Sequence, residues 1–345
     1  MDNRLQRLTH WVRQFPGFEQ ARAEPVSGDA SFRRYFRVHK QGAGSDPFIV
    51  MDAPPEHEDC VPFVNIARHW HQQGIAVPDL VQVDLEQGFL LLEDFGDRLM
   101  LAELDEQSAD RLYGAALREL TLIQQADTGN NPLPPYDAAL LDREMALFPD
   151  WLLEQYLGMT LSNGERAMLD TAFALLRESA LAQPEVTVHR DYHSRNLLIR
   201  PGTDRPGVID FQDAVIGPVT YDAVSLLKDC YIQWPEARLT RWLEFFRQAT
   251  GELGLHRADR DTFRQWFELM GMQRHLKAAG IFARLAIRDD KTGYLGDVPR
   301  TVGYLISASQ RQPALRHFHD WLTGTVMPLI ERRIAPSPGE EAARR

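Results

Sequence analysis

Apolar positions along this chain recur first at helical spacing, then in short alternating runs, and then at helical spacing again towards the C-terminus. Leu5, Leu8, Trp11, Val12 and Phe15 predict an amphipathic first helix that stops before Pro16-Gly17. From Glu24 to Met51 the pattern is that of strands: PVSGDASFRRYFRV predicts a hairpin, QGAGSD a turn and PFIVM the returning strand. A helix is predicted between Pro55 and Gly74 with Val61, Phe63, Val64, Ala67 and Trp70 inward, and Ala76 to Glu93 predicts two more strands joined at Gln87-Gly88. Beyond Glu93 the helical period dominates. Ser108 to Gln125 turns Leu112, Ala116, Leu120 and Ile123 to one face, and Leu140 to Leu157 and Ser162 to Ala182 predict further helices. Phe263 to Arg288 carries apolar residues on nearly every face, which predicts a helix buried all round; Val302 to Ile330 supplies one or two more. No internal repeat or low-complexity domain interrupts the pattern.

One stretch breaks the helical run. In VTVHRDYHSRNLLIRPGTDRPGVIDFQD, from Val186 to Asp213, Val186 and Val188 alternate with polar neighbours, Leu197-Leu198-Ile199 is a compact apolar run, and Pro201-Gly202 and Pro206-Gly207 mark a turn before Val208-Ile209. Short strands thus present His189, Asp191, Asn196 and Asp210 from their ends. A carboxylate, an amide five positions on, and a second carboxylate after the next strand suit phosphoryl transfer from Mg-ATP. One acid orients or accepts the proton of the attacking hydroxyl, while the amide and the other acid offer hard oxygens to Mg²⁺. A buried Asp or Asn capping a turn is the bland alternative for each alone.

His189-Arg190-Asp191-Tyr192-His193-Ser194-Arg195-Asn196 followed by Ile209-Asp210-Phe211-Gln212 resembles the aminoglycoside phosphotransferase and choline kinase superfamily. Within it, MDAPPE, QRHLKAAGIFARL and RDDKTGYL look like the bacterial anomeric amino-sugar kinases that phosphorylate N-acetylmuramate and N-acetylglucosamine at C1 in cell-wall recycling. The resemblance implies an α/β (α+β), bilobal protein-kinase-like fold, with a β-rich lobe over residues 1–94 and a helical lobe over 95–334; the polar composition of APSPGEEAARR predicts a disordered tail over 335–345. It implies Asp191 as the catalytic acid–base residue, His189 fixing the loop, Asn196 and Asp210 on Mg²⁺, and Asp222 bracing the catalytic loop. Adenine would meet backbone groups of Glu93 and Phe95 at the inter-lobe hinge. Asp94-Phe95-Gly96 is not the kinase metal motif, because it precedes the catalytic loop. The sugar would meet residues drawn from Tyr136, Asp137, Arg143, His193, Arg195, Arg274, His275 and Lys277. In the predicted buried helix these last three, with Arg284, are cations that need partners: a ligand anion or internal carboxylates.

One feature departs from the kinase pattern. The strand lysine that pairs the α and β phosphates is expected at about Met51, and Lys40 is the only lysine in the first two hundred residues. Arg33, Arg34 and Arg37 are the nearest cations, with Arg33 and Arg37 on one face and Arg34 on the other; Glu56 or Glu58 stands where a lysine's partner would be. The hairpin's phosphate loop has a single glycine, Gly28, with the amides of Asp29 to Phe32 and the Ser31 hydroxyl as candidate donors.

Composition narrows the partners. The chain has 345 residues, 44% of them hydrophobic, with a net charge of −11 and a pI near 5.5, so it lacks a basic footprint for nucleic acid. No apolar run reaches the roughly 20 residues of a membrane span. Cys60 and Cys230 fit no metal spacing and the N-terminus lacks a signal-peptide pattern, so a cytoplasmic protein with free thiols is expected. No obligate protein partner is evident. The cations of the second lobe suit an anionic or neutral sugar better than a polycation. An aminoglycoside or other small-alcohol kinase, and a silent nucleotide-binding regulator, are the alternatives.

Overall fold

The computed structural model describes residues 2–26, 32–42, 47–127, 129 and 132–334. Helix α1 (Asn3–Val12) begins where the Asp2 carboxylate accepts the Leu5 N–H at 3.1 Å, satisfying a donor that a helix start leaves open. Strands β1 (Glu24–Pro25), β2 (Arg34–His39) and β3 (Pro47–Asp52), helix α2 (Val61–Gln72), and strands β4 (Leu80–Asp84) and β5 (Phe89–Glu93) follow. The five strands pair antiparallel in the order β1-β2-β3-β5-β4.

Strand alternation gives this sheet two faces. Phe36, Val38, Val50, Phe89 and Leu91 close a core with Leu8, Trp11 and Val12 of α1; each of these large side chains contributes roughly 1.5–3 kcal/mol by leaving water. Tyr35, Arg37, Ile49 and Leu92 turn to the opposite face. In α2 the buried side is Phe63, Val64, Ile66, Ala67 and Trp70; Val61, expected inward, lies in the first turn ahead of that face and is exposed.

Next come α3 (Met100–Glu103), α4 (Ala109–Gln125) and α5 (Ala138–Leu147), the last running on through wider π turns at Phe148–Tyr156. Helix α6 (Asn163–Leu181) starts on a reciprocal Ser162–Glu165 cap. Four short strands carry the polar segment: β6 (Glu185–Val188), β7 (Leu197–Ile199), β8 (Pro206–Val208) and β9 (Val215–Pro218), pairing as β6 with β9 and β7 with β8. β9 was not expected, because Gly217-Pro218 reads as a turn into a helix, yet its ladder with β6 needs only residues 215–218. Helices α7 (Tyr221–Leu227), α8 (Glu236–Glu252), α9 (Arg260–Arg288), α10 (Val298–Ser309), α11 (Arg316–Trp321) and α12 (Met327–Ile334) complete the chain. Among the described residues no helix is long and apolar enough to cross a membrane.

By contact the chain forms two compact units, one of Met1–Leu133 with Ser194–Ala214, the other of Pro134–His193 with Val215–Arg345. This division falls elsewhere than the expected change between Asp94 and Phe95. Helix α4, expected with the helical lobe, joins the first unit because buried Glu119 accepts the Ala76 N–H at 2.8 Å and pairs with Arg205 at 2.8 Å. The β7–β8 ribbon joins it too: Val208 N–H donates to the Ala76 carbonyl at 2.7 Å, and Phe211 stacks on Phe63 of α2. The expected tail over 335–345 lies outside the described residues.

In the second unit α9 is buried over most of its length, as its all-round apolar pattern predicts. Gly280 permits the closest approach, since an added Cβ would lie 2.3 Å from the Leu147 carbonyl carbon. Gly280→Ala is therefore expected to destabilise by about 1–3 kcal/mol despite the better helix propensity of alanine. Gly303→Ala in α10, where an added Cβ meets nothing within 4 Å, should instead leave the melting temperature unchanged or slightly raised. Thermal denaturation of the two variants side by side checks this.

Candidate active site

In the first unit the sheet face carrying Tyr35, Arg37 and Ile49 borders a cavity of about 630 Å³, closed by residues 93–97 and by Asn196, Leu198 and Ile209 to Phe211. The β7–β8 hairpin explains why Asn196 and Asp210 meet there. Leu197 pairs with Val208, so the residue before one strand and those after the other emerge at the same end, and the Ile209 N–H donates to the Asn196 carbonyl at 3.1 Å. The Asn196 amide lies 3.3 Å from the Asp210 carboxylate, whose other oxygen accepts from Gln212 at 2.8 Å. Asp210 has a φ of 66°, a left-handed geometry that a non-glycine residue adopts at some cost.

The Asn196 amide nitrogen donates to Asp210, and the carboxylate together with the amide's own oxygen offers hard donors. Mg²⁺ keeps several waters and takes one or two protein oxygens plus phosphate, so these residues fit it. Among the described residues no three His, Cys, Asp or Glu side chains gather into a cage for a metal held by protein alone.

At the strand β5 end, Phe95 is buried against Gly207, where an added Cβ would lie 2.3 Å from the ring, and the Arg200 guanidinium stacks 4.6 Å from its centroid. The Glu93 N–H, expected among the hinge groups, donates to the Asp79 carbonyl at 2.9 Å and is thus engaged within the protein. The three hairpin arginines differ sharply. Arg34 binds Asp52 and Asp2; Arg37 binds Asp94 and Asp97; Arg33 is 9% exposed and pairs with Glu58 at 3.1 Å. Phe32 is exposed and stacked on His57. Ser31 lies outside the described residues, as do Gly28 and Asp29.

In the second unit Asp222, at the start of α7, shapes the turn after β6. Its carboxylate accepts the N–H groups of His189 at 2.7 Å and Arg190 at 3.0 Å. Arg190 has a φ of 77°, and its guanidinium reaches Glu144 at 2.6 Å. Next to it the Asp191 N–H donates to the His189 Nδ1 at 3.2 Å. Burial pushes Asp222 up to about 7, with the two N–H bonds opposing that rise.

Asp191 behaves oppositely. Burial would raise its carboxyl, but Lys277, His193 and Arg274 outweigh that effect and hold it at about 2. Around it the charges are interlocked. Lys277 Nζ lies 3.0 Å from Glu144 and 3.1 Å from the Tyr221 hydroxyl; the Tyr136 hydroxyl donates to Glu144, and the Gln273 amide donates to Tyr136 at 2.9 Å. Arg274 is the exception. It is 6% exposed, its Nη1 lies 3.8 Å from the Cys230 sulfur, its Nε has no hydrogen-bond partner, and among the described residues no carboxylate stands within ion-pair distance of it.

Other expected contacts fall differently. Burial lowers His275 to about 3, with Arg274 adding to the effect, so it is a neutral ring that donates to the Lys228 carbonyl at 2.9 Å and stacks on Tyr304; it is not a cation. Asp137 is exposed and caps α5 by accepting the Leu140 N–H at 2.8 Å, and Arg143 is exposed on the same helix. His193 packs edge-on against Tyr231. Arg195 belongs to the first unit, and Arg284, expected inside, is only half-buried.

The profile of the Phosphotransferase enzyme family matches residues 22–266. This chain belongs to that family. The N-acetylmuramate/N-acetylglucosamine kinase of Pseudomonas putida is 44% identical over 325 residues, covering 91% of this chain and 94% of that protein. The protein of the same description from Pseudomonas aeruginosa is 47% identical over 300 residues, covering 86% and 87%. Among solved structures, Plasmodium vivax ethanolamine kinase superposes with a TM-score of 0.62 at 10% identity, covering 96% of this chain and 90% of that one. ADP-bound aminoglycoside phosphotransferase APH(2'')-Ib superposes at 0.56 and 15% identity, covering 88% and 98%. The fold is thus the mixed α/β, protein-kinase-like one of this family, with a small antiparallel sheet and a larger helical part.

Sequence reasoning missed Glu144, on which Arg190, Lys277 and Tyr136 converge. Its signal was present, for Leu141, Glu144, Met145 and Phe148 share one helical face, and an acid amid an apolar stripe calls for buried cations. It also missed Tyr221 and Gln273, which carry no signal apart from their neighbours.

His275 generates a pH prediction. Unfolded, it takes up a proton near pH 6.5; folded, it stays neutral down to about 3. Its contribution to stability is therefore full above pH 6.5 and is lost as pH falls from there towards 3. His275→Asn should flatten the acid-side dependence of stability between pH 7 and 5 by close to one proton, measured by denaturant titration at each pH.

Proposed function

We propose that this protein transfers the γ-phosphoryl group of ATP to the anomeric hydroxyl of N-acetylmuramate and N-acetylglucosamine, yielding a sugar 1-phosphate. The observation that carries this reading is the 44–47% identity, over most of both chains, to two Pseudomonas proteins of that description. ATP would occupy the first unit's cavity, and Asn196 and Asp210 would hold Mg²⁺. The ion, when bound, neutralises charge on the phosphates.

The remaining roles fall to the protein's own residues. Asp191 would orient the attacking hydroxyl and receive its proton late, since a carboxylate held near 2 is a weak base and an anomeric hydroxyl is more acidic than an ordinary sugar alcohol. His189 fixes the Asp191 backbone through its ring nitrogen, and Asp222 holds the turn that aims it. Arg274, a buried guanidinium with no carboxylate within ion-pair distance among the described residues, is suited to the lactyl carboxylate of N-acetylmuramate, which N-acetylglucosamine lacks. Clustered cations at Arg190, Arg274 and Lys277 would repel an aminoglycoside.

³¹P NMR of the protein with Mg-ATP and each sugar tests the reaction: a phosphomonoester coupled to the anomeric proton is expected, and phosphate on an aminoglycoside alone would overturn the substrate. Asp191→Asn is expected to lower kcat by roughly 10²–10⁴-fold while nucleotide binding persists. Arg274→Gln is expected to raise KM for N-acetylmuramate on the order of tenfold to a hundredfold, with a smaller change for N-acetylglucosamine. Steady-state kinetics on both sugars reads the difference.

A further inference from the structure

Strand β3 offers no cation to the cavity. Antiparallel pairing sets Ile49 opposite Arg37 and Met51 opposite Tyr35, so Met51 belongs to the sheet face whose members Tyr35, Arg37 and Ile49 line the cavity. That is where a kinase strand places the lysine for the α and β phosphates. Here the residue is a fully buried thioether.

The other cations of this unit that were candidates for the role are committed elsewhere. Arg34 points to the opposite face, where Asp52 and Asp2 take it up. Arg37 faces the cavity but is held by two carboxylates, Asp94 and Asp97, which already balance its charge. Arg200 lies over Phe95 and pairs with Glu93. Lys40 packs its methylenes over Gly17.

Arg33 is paired as well, with the single carboxylate of Glu58. It stands immediately before β2, two positions from the cavity-lining Tyr35, and the alternation of that strand, continued by one residue, would direct it to the same side. It is 9% exposed, and its Nε lies 3.1 Å from one oxygen of Glu58, whose other oxygen accepts the Phe32 N–H at 3.1 Å. One carboxylate thus clamps both the guanidinium and the backbone beside it. Burial disfavours the charge of Arg33, but Tyr35, Glu58 and Asp210 offset that and keep it protonated.

We propose that Arg33, braced by Glu58, is the cation that meets the α and β phosphates of the nucleotide, replacing the β3 lysine and its helix glutamate with an arginine–glutamate pair supplied from the neighbouring strand. The inference rests on the nucleotide reading of the cavity. An arginine approaching from β2 reaches further than a lysine and presents two parallel N–H groups to phosphate oxygens, which makes Arg33→Lys a non-conservative change.

The test is calorimetric titration of adenosine and of Mg-ADP into the full-length wild type, Arg33→Met, Arg33→Lys, Glu58→Gln and the double variant Arg33→Met with Met51→Lys. Arg33→Met is expected to weaken Mg-ADP on the order of tenfold to a hundredfold and adenosine by less than about threefold, because only the former carries phosphates. Arg33→Lys and Glu58→Gln should fall between wild type and Arg33→Met. Met51→Lys should return part of the lost Mg-ADP affinity, a rescue that a merely structural Arg33 would not permit. Equal weakening of adenosine and Mg-ADP, or unchanged Mg-ADP affinity in Arg33→Met, would overturn the assignment while leaving the nucleotide site standing. Failure of the wild type to bind either ligand would remove the nucleotide reading itself.

Discussion

The Asp222 carboxylate, accepting two successive backbone N–H groups from His189 and Arg190, is the contact on which the turn before Asp191 depends. It compensates the left-handed conformation of Arg190, which costs on the order of 1–3 kcal/mol for a side chain with a Cβ. The chain thereby leaves strand β6 sharply, and Asp191 follows with its own N–H tied to the His189 ring. A carboxylate buried so completely is expensive to ionise, yet each oxygen has a backbone donor, which is the arrangement that lets a buried acid serve as a structural acceptor.

Glu144 plays the complementary part. It gathers Arg190, Lys277 and the Tyr136 hydroxyl within one buried network, so that two cations lie beside Asp191 without leaving their charge uncompensated. Burial opposes ionisation of Glu144 and the two cations overcome it. Asp191 is held ionised by the same field, to which Arg274 adds.

In the first unit the two-faced sheet divides the work. One face builds the core under α1, and the other lines the cavity into which the β7–β8 hairpin delivers Asn196 and Asp210. Substituting Met51 for a lysine removes a charge from that face. Arg33, just before the neighbouring strand β2, pairs with Glu58.

Sequence alone determined the features that depend on neighbours along the chain. The order of His189, Asp191, Asn196 and Asp210 between short apolar runs set them at strand ends, alternation sorted Arg37 from Arg34, and the all-round apolar pattern of α9 predicted its burial. Tertiary structure alone decided which charges are balanced. Arg37 meets an aspartate 57 positions away, Lys277 meets Glu144 from another helix, and Arg274 meets the Cys230 sulfur. Strand β9 and the placement of α4 likewise rest on partners remote in sequence. Periodicity records which side of an element faces inward. What waits there, and with what charge, is a property of the packed chain, because ion pairs act over a few ångströms of space with no regard for sequence separation.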